Sequence, residues 1–167
     1  MLGGMTLPNS WLADALEDIA KLLEVEDGSP FRIRAYRNGA DAVRASRREL
    51  SEVLAAGEDL TSIPDIGKAI AEKVAEMLGT GEPSYPEGIV PEVARGLLAM
   101  MSVPGVGPKR VRVLRDELSI TNLHELEAAA SEGKLSSLPG LGAKTEEQIL
   151  RRVRRKLEAD GAPPADA

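Results

Sequence analysis

The chain has no cysteine, one histidine and only four aromatic residues in 167. Without cysteine there is no disulfide framework and no thiolate metal site, which fits a reducing compartment, the cytoplasm. Aromatics are 2% and hydrophobic residues 43%. The core must therefore be Leu, Val, Ile, Ala and Met, a palette that favours helices. No apolar run approaches the roughly 18 residues of a membrane span. The start, MLGGMTLPNS, lacks the basic and apolar regions of a signal peptide. A positive net charge is also missing. The chain carries −6 with a pI near 5.0, which at first argues against a polyanionic partner.

The charge is unevenly placed. Residues 32–48 hold six Arg and one Asp, net +5, while 109–115 and 144–156 carry +4 each. Together these stretches carry +13, so the rest carries −19, and local fields govern binding more than the total. One basic stretch belongs to SVPGVGPKRVRVLR, Ser102 to Arg115. Gly105 and Gly107 give a turn conformational freedom, and Pro108 suits a first helical position. Lys109, Arg110, Arg112 and Arg115 then load two turns of helix with cations where the macrodipole prefers anions. A bound anion would remove that conflict. Main-chain N–H groups at a helix start, backed by cations, suit a phosphate.

That stretch has relatives within the chain. IPDIGKAIAEKV (Ile63–Val74), VPGVGPKRVRVL (Val103–Leu114) and LPGLGAKTEEQI (Leu138–Ile149) share apolar-Pro-x-apolar-Gly before a helix. Their last glycines, Gly67, Gly107 and Gly142, are 40 and 35 residues apart, so the unit is helix, tight turn, helix. The remainder also reads helical. Leu12, Leu16, Ile19 and Leu23 share a face behind a capping pair, Asn9-Ser10. Ser29-Pro30 opens an Arg-rich helix to about Arg47. Ser51–Gly57 is a short helix, and Asn122 with Glu125 forms a capping box for a helix that Gly133 ends.

The expected fold is all-α, with eight or nine short helices, no sheet, and two small domains. One spans 9–80 and the other 92–158, joined by a Gly/Pro-rich linker at 81–91. Residues 159–167 read as a disordered tail. The ending GAPPADA favours a stand-alone protein, and the chain is expected to be a monomer.

The repeated turn resembles the helix-hairpin-helix motif. SPFRIRAYRNGADAV followed by IPDIGKAIAEKVAEMLGTG is similar to the N-terminal lyase-type domain of family X DNA polymerases. Residues 103–150 are similar to the helical DNA-binding subdomain that follows it in bacterial members. The resemblance covers residues 9 to about 156 and ends before any palm subdomain. It implies a DNA-repair module that recognises gapped, nicked or primer-template DNA, with no polymerase activity of its own. Other repair proteins are implied partners and a membrane is not. No cofactor is implied, and no metal beyond a monovalent cation at the hairpin carbonyls.

The resemblance also assigns residues. Lys73 aligns with the lyase lysine, an amine that forms a Schiff base with an abasic sugar and releases the 5′-deoxyribose phosphate by β-elimination. Arg32, Tyr36 and Arg37 fall at the 5′-phosphate pocket, and Phe31 where relatives stack a ring on a template base. The three hairpins, through Gly67 and Lys68, through Gly105, Val106, Gly107, Lys109 and Arg110, and through Gly140, Gly142 and Lys144, would bind backbone phosphates. Three departures stand out. Thr61 and Ala69 occupy lysine positions of DNA polymerase beta, and Asp65 replaces the first hairpin glycine. The alternative is a non-catalytic helical domain for protein interaction that has lost DNA binding. Trp11 reads as a packing residue, His124 as a surface one, and the Arg151–Lys156 run as a solvated helix face.

Overall fold

The computed structural model describes residues 6–161; positions 162–167 of the expected tail lie outside the described residues. Among the described residues there are eight α-helices, two short 3-10 turns and no strand. No described helix is long and apolar enough to cross a membrane. The chain divides into two compact units between Gly88 and Ile89.

The first unit contains α1 (Asn9–Val25), α2 (Pro30–Ala45), α3 (Leu50–Ala55), a 3-10 turn (Leu60–Ser62) and α4 (Lys68–Thr80). Leu12, Leu16, Ile19 and Leu23 are buried as their spacing implies, but so are Ala13, Ala15, Ala20 and Leu22. Small residues on the second face let α1 be covered over most of its circumference. Tyr36, Ala40 and Val43 of α2 and Ile70, Val74 and Met77 of α4 complete this core, with Trp11 packed at its edge. Gly39 sets how closely α2 and α4 approach, since a Cβ there would lie 3.0 Å from Ile70 Cγ2. Ser29 is the N-cap of α2 with Pro30 in its first turn.

Asn9 corrects the reading of a local cap. Pro8 holds the cap position of α1, and Asn9 is only 7% exposed. Its Nδ2 donates to the Arg48 carbonyl at 2.8 Å, and its Oδ1 accepts from the Leu50 N–H at 2.9 Å. The side chain therefore caps α3, about forty residues along the chain, and ties the start of α1 to the α2–α3 connection.

The second unit contains α5 (Pro91–Met101), α6 (Pro108–Leu118), α7 (Leu123–Ser131), a 3-10 turn (Leu135–Ser137) and α8 (Ala143–Ala159). A Cβ at Gly96 would fall 2.2 Å from the Thr121 carbonyl oxygen, so α5 needs glycine there to meet the α6–α7 connection. The capping box is shifted by one residue. Asn122 Oδ1 accepts from the Glu125 N–H at 2.8 Å, whereas Glu125 Oε1 accepts from Thr121 N–H, also at 2.8 Å. Buried Glu146, in the first turn of α8, accepts from the N–H groups of Leu135 and Ser136 at 2.7 and 3.2 Å. It braces the 3-10 turn against the helix start, where the macrodipole favours a carboxylate. His124 is exposed.

Asn9→Ala removes both side-chain bonds and leaves the Leu50 N–H without its acceptor. The expected destabilisation is about 1–3 kcal/mol. Urea unfolding followed by the fluorescence of Trp11, the single tryptophan and a first-unit residue, measures it. An unchanged midpoint would show that water replaces the amide without cost.

Candidate nucleic-acid interface

The three repeated turns adopt one backbone geometry. Asp65, Gly105 and Gly140 have left-handed φ values of 68°, 89° and 79°. The next residues, Ile66, Val106 and Leu141, donate their N–H groups to the carbonyls of Ile63, Val103 and Leu138 at 3.1, 3.0 and 3.1 Å. Their side chains are 3%, 2% and 3% exposed. Each turn is thus pinned to the core by one apolar side chain. Val106 serves in that role: both its side chain and its N–H are engaged inside the turn.

Gly67, Gly107 and Gly142 follow as helix caps with φ of −84°, −94° and −82° and ψ near 180°. This is extended backbone that any residue adopts. Turn freedom therefore explains Gly105 and Gly140 but not Gly107. A Cβ on Gly67, Gly107 or Gly142 would meet nothing within 4 Å. These three positions are small without any intramolecular need. The first helical bonds run from Ala71, Val111 and Glu146 back to the three cap carbonyls. Ahead of them, the N–H groups of Gly107, Lys109 and Arg110 have no acceptor among the described residues, and Pro108 has no N–H to leave unpaired. Gly67 to Ile70 and Gly142 to Thr145 repeat the arrangement.

The basic stretches are largely engaged internally. Arg37 pairs with Glu24, Arg44 with Asp14 and Glu17, and Arg48 with Glu58. Arg151, Arg154 and Lys156 pair with Glu147, Glu127 and Asp160. In α6, Arg115 meets Asp116, Arg112 is also engaged, and Arg110 bonds to main-chain carbonyls. By contrast, Lys68, Lys109 and Lys144 are exposed and make no ion pair with a described residue. They stand one or two residues after the three cap glycines. Exposed Asp65 is the exception in charge, placing a carboxylate beside the first turn.

A second feature lies wholly in the first unit. Lys73, Arg32 and Tyr36, from α4 and α2, line one cavity of about 420 Å³. Glu26, Tyr85 and Glu87 line it too. Lys73 is 27% exposed and its Nζ lies 3.5 Å from Glu76 Oε1. The Ser84 hydroxyl donates to Glu76 Oε2 at 2.7 Å. That bond, and after it the charge of Lys73, holds the Glu76 carboxyl below the usual carboxylate range. The sequence reading placed 81–91 in a linker and did not anticipate its share of this cavity. Pro86 is buried and Tyr85 half-buried; the tyrosine and the proline among Gly and Glu are the signal that was there to find.

Other expected residues sit apart from the cavity lining. Phe31 is 78% exposed, with the Arg34 guanidinium 5.5 Å from its ring centre. Arg37 is held by Glu24. Thr61 Oγ1 donates to Asp59 Oδ1 at 2.7 Å, and this bond lowers the Asp59 carboxyl from its ordinary value. Thr61 and Ala69 supply no cation beside the first hairpin. Among the described residues no cluster of three or more His, Asp or Glu side chains could hold a metal ion.

Comparison with known proteins agrees with this geometry. A family model described as a helix-hairpin-helix domain matches residues 7–83, and one for a SAM-like helix-hairpin-helix tandem matches 97–155. The chain is 34% identical over 136 residues to the DNA polymerase/3′-5′ exonuclease PolX of Bacillus subtilis, covering 81% of this chain and 23% of that protein. It is 41% identical over 70 residues to the Holliday junction branch migration complex subunit RuvA of Geobacter sulfurreducens, covering 40% of this chain and 34% of the relative. The RuvA of Azobacteroides pseudotrichonymphae is 34% identical over 67 residues, with the same coverage of 40% and 34%. The chain thus spans under a quarter of the PolX relative and about a third of the RuvA relatives. It is an all-helical protein of two helix-hairpin-helix domains, resembling the N-terminal helix-hairpin-helix region of a family X polymerase of the PolX type.

Proposed function

We propose that the chain is a DNA-binding module of a PolX-like repair protein, acting in the cytoplasm on gapped, nicked or primer-template DNA. One observation carries this reading. Three turns of the same backbone geometry each present unpaired N–H groups, a glycine with open space where a Cβ would stand, and an exposed lysine. A phosphate oxygen that approaches such a turn meets donors already oriented, and the missing Cβ admits it. Gly67, Gly107 and Gly142 with Lys68, Lys109 and Lys144 form the contact set, and exposed Phe31 is available to stack on an unpaired base. Contacts of this kind read backbone position and not sequence, so recognition follows DNA structure.

Each phosphate neutralised contributes about −0.9 to the slope of log K against log salt, so a few contacts give about −3 to −5. Fluorescence anisotropy with a gapped duplex across a salt series tests this. Absence of binding at low salt would instead favour the protein-interaction reading.

The cap glycines give a sharper test. Val at position 107 has room and an allowed φ, so Gly107→Val should leave the unfolding midpoint nearly unchanged. It should still weaken DNA binding roughly tenfold or more, the scale of a lost charge-assisted bond. Gly67→Val should cost less, because Asp65 already disfavours phosphate there. Equal losses in the two folded variants would mean that the first hairpin contributes as much as the second.

A second reading rests on the cavity: 5′-deoxyribose-phosphate lyase activity. Lys73 Nζ would attack C1′ of the open sugar aldehyde, with loss of water, to give an imine. Removal of a C2′ proton then expels the 3′-phosphate, and hydrolysis of the imine restores the amine. Arg32 and Tyr36 on the same wall supply a cation and a hydroxyl for the 5′-phosphate. The amine must first leave Glu76. Borohydride should trap a covalent adduct without divalent metal, and Lys73→Ala should lose most of the trapping while binding gapped DNA within a few-fold. Full trapping by Lys73→Ala would move the nucleophile, with Lys68 next. No trapping by the unmodified protein bound to its substrate would remove the enzyme reading and leave the DNA-binding one intact.

A further inference from the structure

We infer that Arg110 is a positioning residue that couples the second and third hairpins into one surface, and not a cation that itself meets phosphate. The inference rests on the DNA-binding reading above and assigns this arginine a part in it. Arg110 sits in the first turn of α6. Its Nη1 donates to the Gly105 carbonyl at 2.7 Å and its Nη2 to the Gly140 carbonyl at 3.4 Å. The two acceptors are the left-handed residues of the two turns, so one guanidinium grips the same point of both hairpins. Arg152 of α8 strengthens the link, donating from Nη1 to the Pro104 carbonyl at 3.0 Å.

The chemistry requires arginine. A guanidinium presents several N–H donors in a rigid plane, so two nitrogens of one group can hold two carbonyls at a fixed separation. A lysine ammonium on a flexible stem carries the same charge but does not fix that separation. The bonds also explain a cation at the N-terminal end of a helix, because carbonyl dipoles offset the unfavourable macrodipole. The corresponding residue is Ile70 after the first hairpin and Thr145 after the third. The coupling is therefore a property of the second hairpin acting on its neighbour. With the two turns tied together, the N–H groups at Gly107 and Gly142 stand at a set distance, and two phosphates are read as a pair.

Charge-conserving substitution in the full chain separates the two roles. Arg110→Lys should bind gapped duplex about tenfold more weakly, close to Arg110→Ala. In the DNA-free protein the amide NMR signals of Gly140 and Gly142 should move in both variants. Gly142→Val should cost less affinity in the Arg110→Lys background than in the unmodified protein, since coupled contacts are not additive. Wild-type affinity in Arg110→Lys, with a salt slope reduced by about 0.9 in Arg110→Ala, would make Arg110 a direct phosphate contact and overturn the inference. Unmoved Gly140 and Gly142 signals in a folded Arg110→Lys would overturn it as well. If the unmodified protein binds no DNA, the DNA-binding reading fails, and the NMR comparison still decides the coupling.

Discussion

A left-handed residue at Asp65, Gly105 and Gly140 reverses the chain so that the next side chain drops into the core and the one after leaves as an extended helix cap. Much else follows from this. Burial of Ile66, Val106 and Leu141 contributes about 1.5–3 kcal/mol for each side chain. The turn cannot rotate without exposing it. The N–H groups at the start of α4, α6 and α8 therefore face outward in a fixed array rather than a mobile loop. Rigid donors bind an anion without an ordering cost, which is the advantage of preorganisation. In the first hairpin the left-handed position holds Asp65. Aspartate tolerates that conformation better than most side chains, so the turn survives, but its carboxylate stands beside the donors.

The charge puzzle in the sequence has a structural answer. Three basic stretches in an acidic chain pointed to local positive fields despite the net charge. In the fold several of those arginines face acidic partners of their own unit: Arg44 meets Asp14 and Glu17, Arg48 meets Glu58, and Arg154 meets Glu127. Exposed pairs of this kind add little stability. Their larger effect is to cancel part of the charge of the basic stretches, while Lys68, Lys109 and Lys144 stay exposed beside the N–H groups. Lys68, Lys109 and Lys144 are all lysines. A lysine is a compact, mobile charge that follows a phosphate without demanding a fixed geometry, whereas Arg44, Arg48, Arg110 and Arg154 hold fixed partners.

What the sequence revealed divides along the range of the interactions. The helices and turns were legible because their signals are local: the Gly-Pro punctuation, the helical apolar spacing of Leu12, Leu16, Ile19 and Leu23, and the repeat itself. The gathering of Lys73, Arg32 and Tyr36 was legible only through family resemblance, since nothing local ties residue 32 to residue 73. Long-range polar bonds were not legible. Asn9 looks like the cap of its own helix and caps another. Glu146 looks like an exposed first-turn acid and is buried under a 3-10 turn. Arg110 looks like one more surface cation. In each case the side chain fits a common local role, and only the tertiary fold supplies the partner that overrides it. Gly107 was read as a flexible turn residue on the same local logic, but its backbone is extended and a Cβ there would meet nothing, so turn geometry does not require glycine at that position.

The two features of the first unit are linked through α4. Its N-terminus carries the first hairpin, and five residues into the helix Lys73 lines the cavity shared with α2. The spacing between those helices is set where Gly39 meets Ile70, with a Cβ at 3.0 Å from Ile70 Cγ2 already too close for comfort. Ile70 lies one turn before Lys73 on the same helix, and Gly39 lies one turn after Tyr36 on the other. The contact that brings the helices together is thus adjacent to the residues that line the cavity. Beyond α4, Ser84 holds Glu76, and Tyr85, Pro86 and Glu87 add to the cavity lining. Glu76 is the shared element, since its two carboxylate oxygens reach Ser84 and Lys73 separately. Separation of the Lys73 amine from Glu76 would therefore leave the Ser84 bond in place, because the two contacts use different carboxylate oxygens.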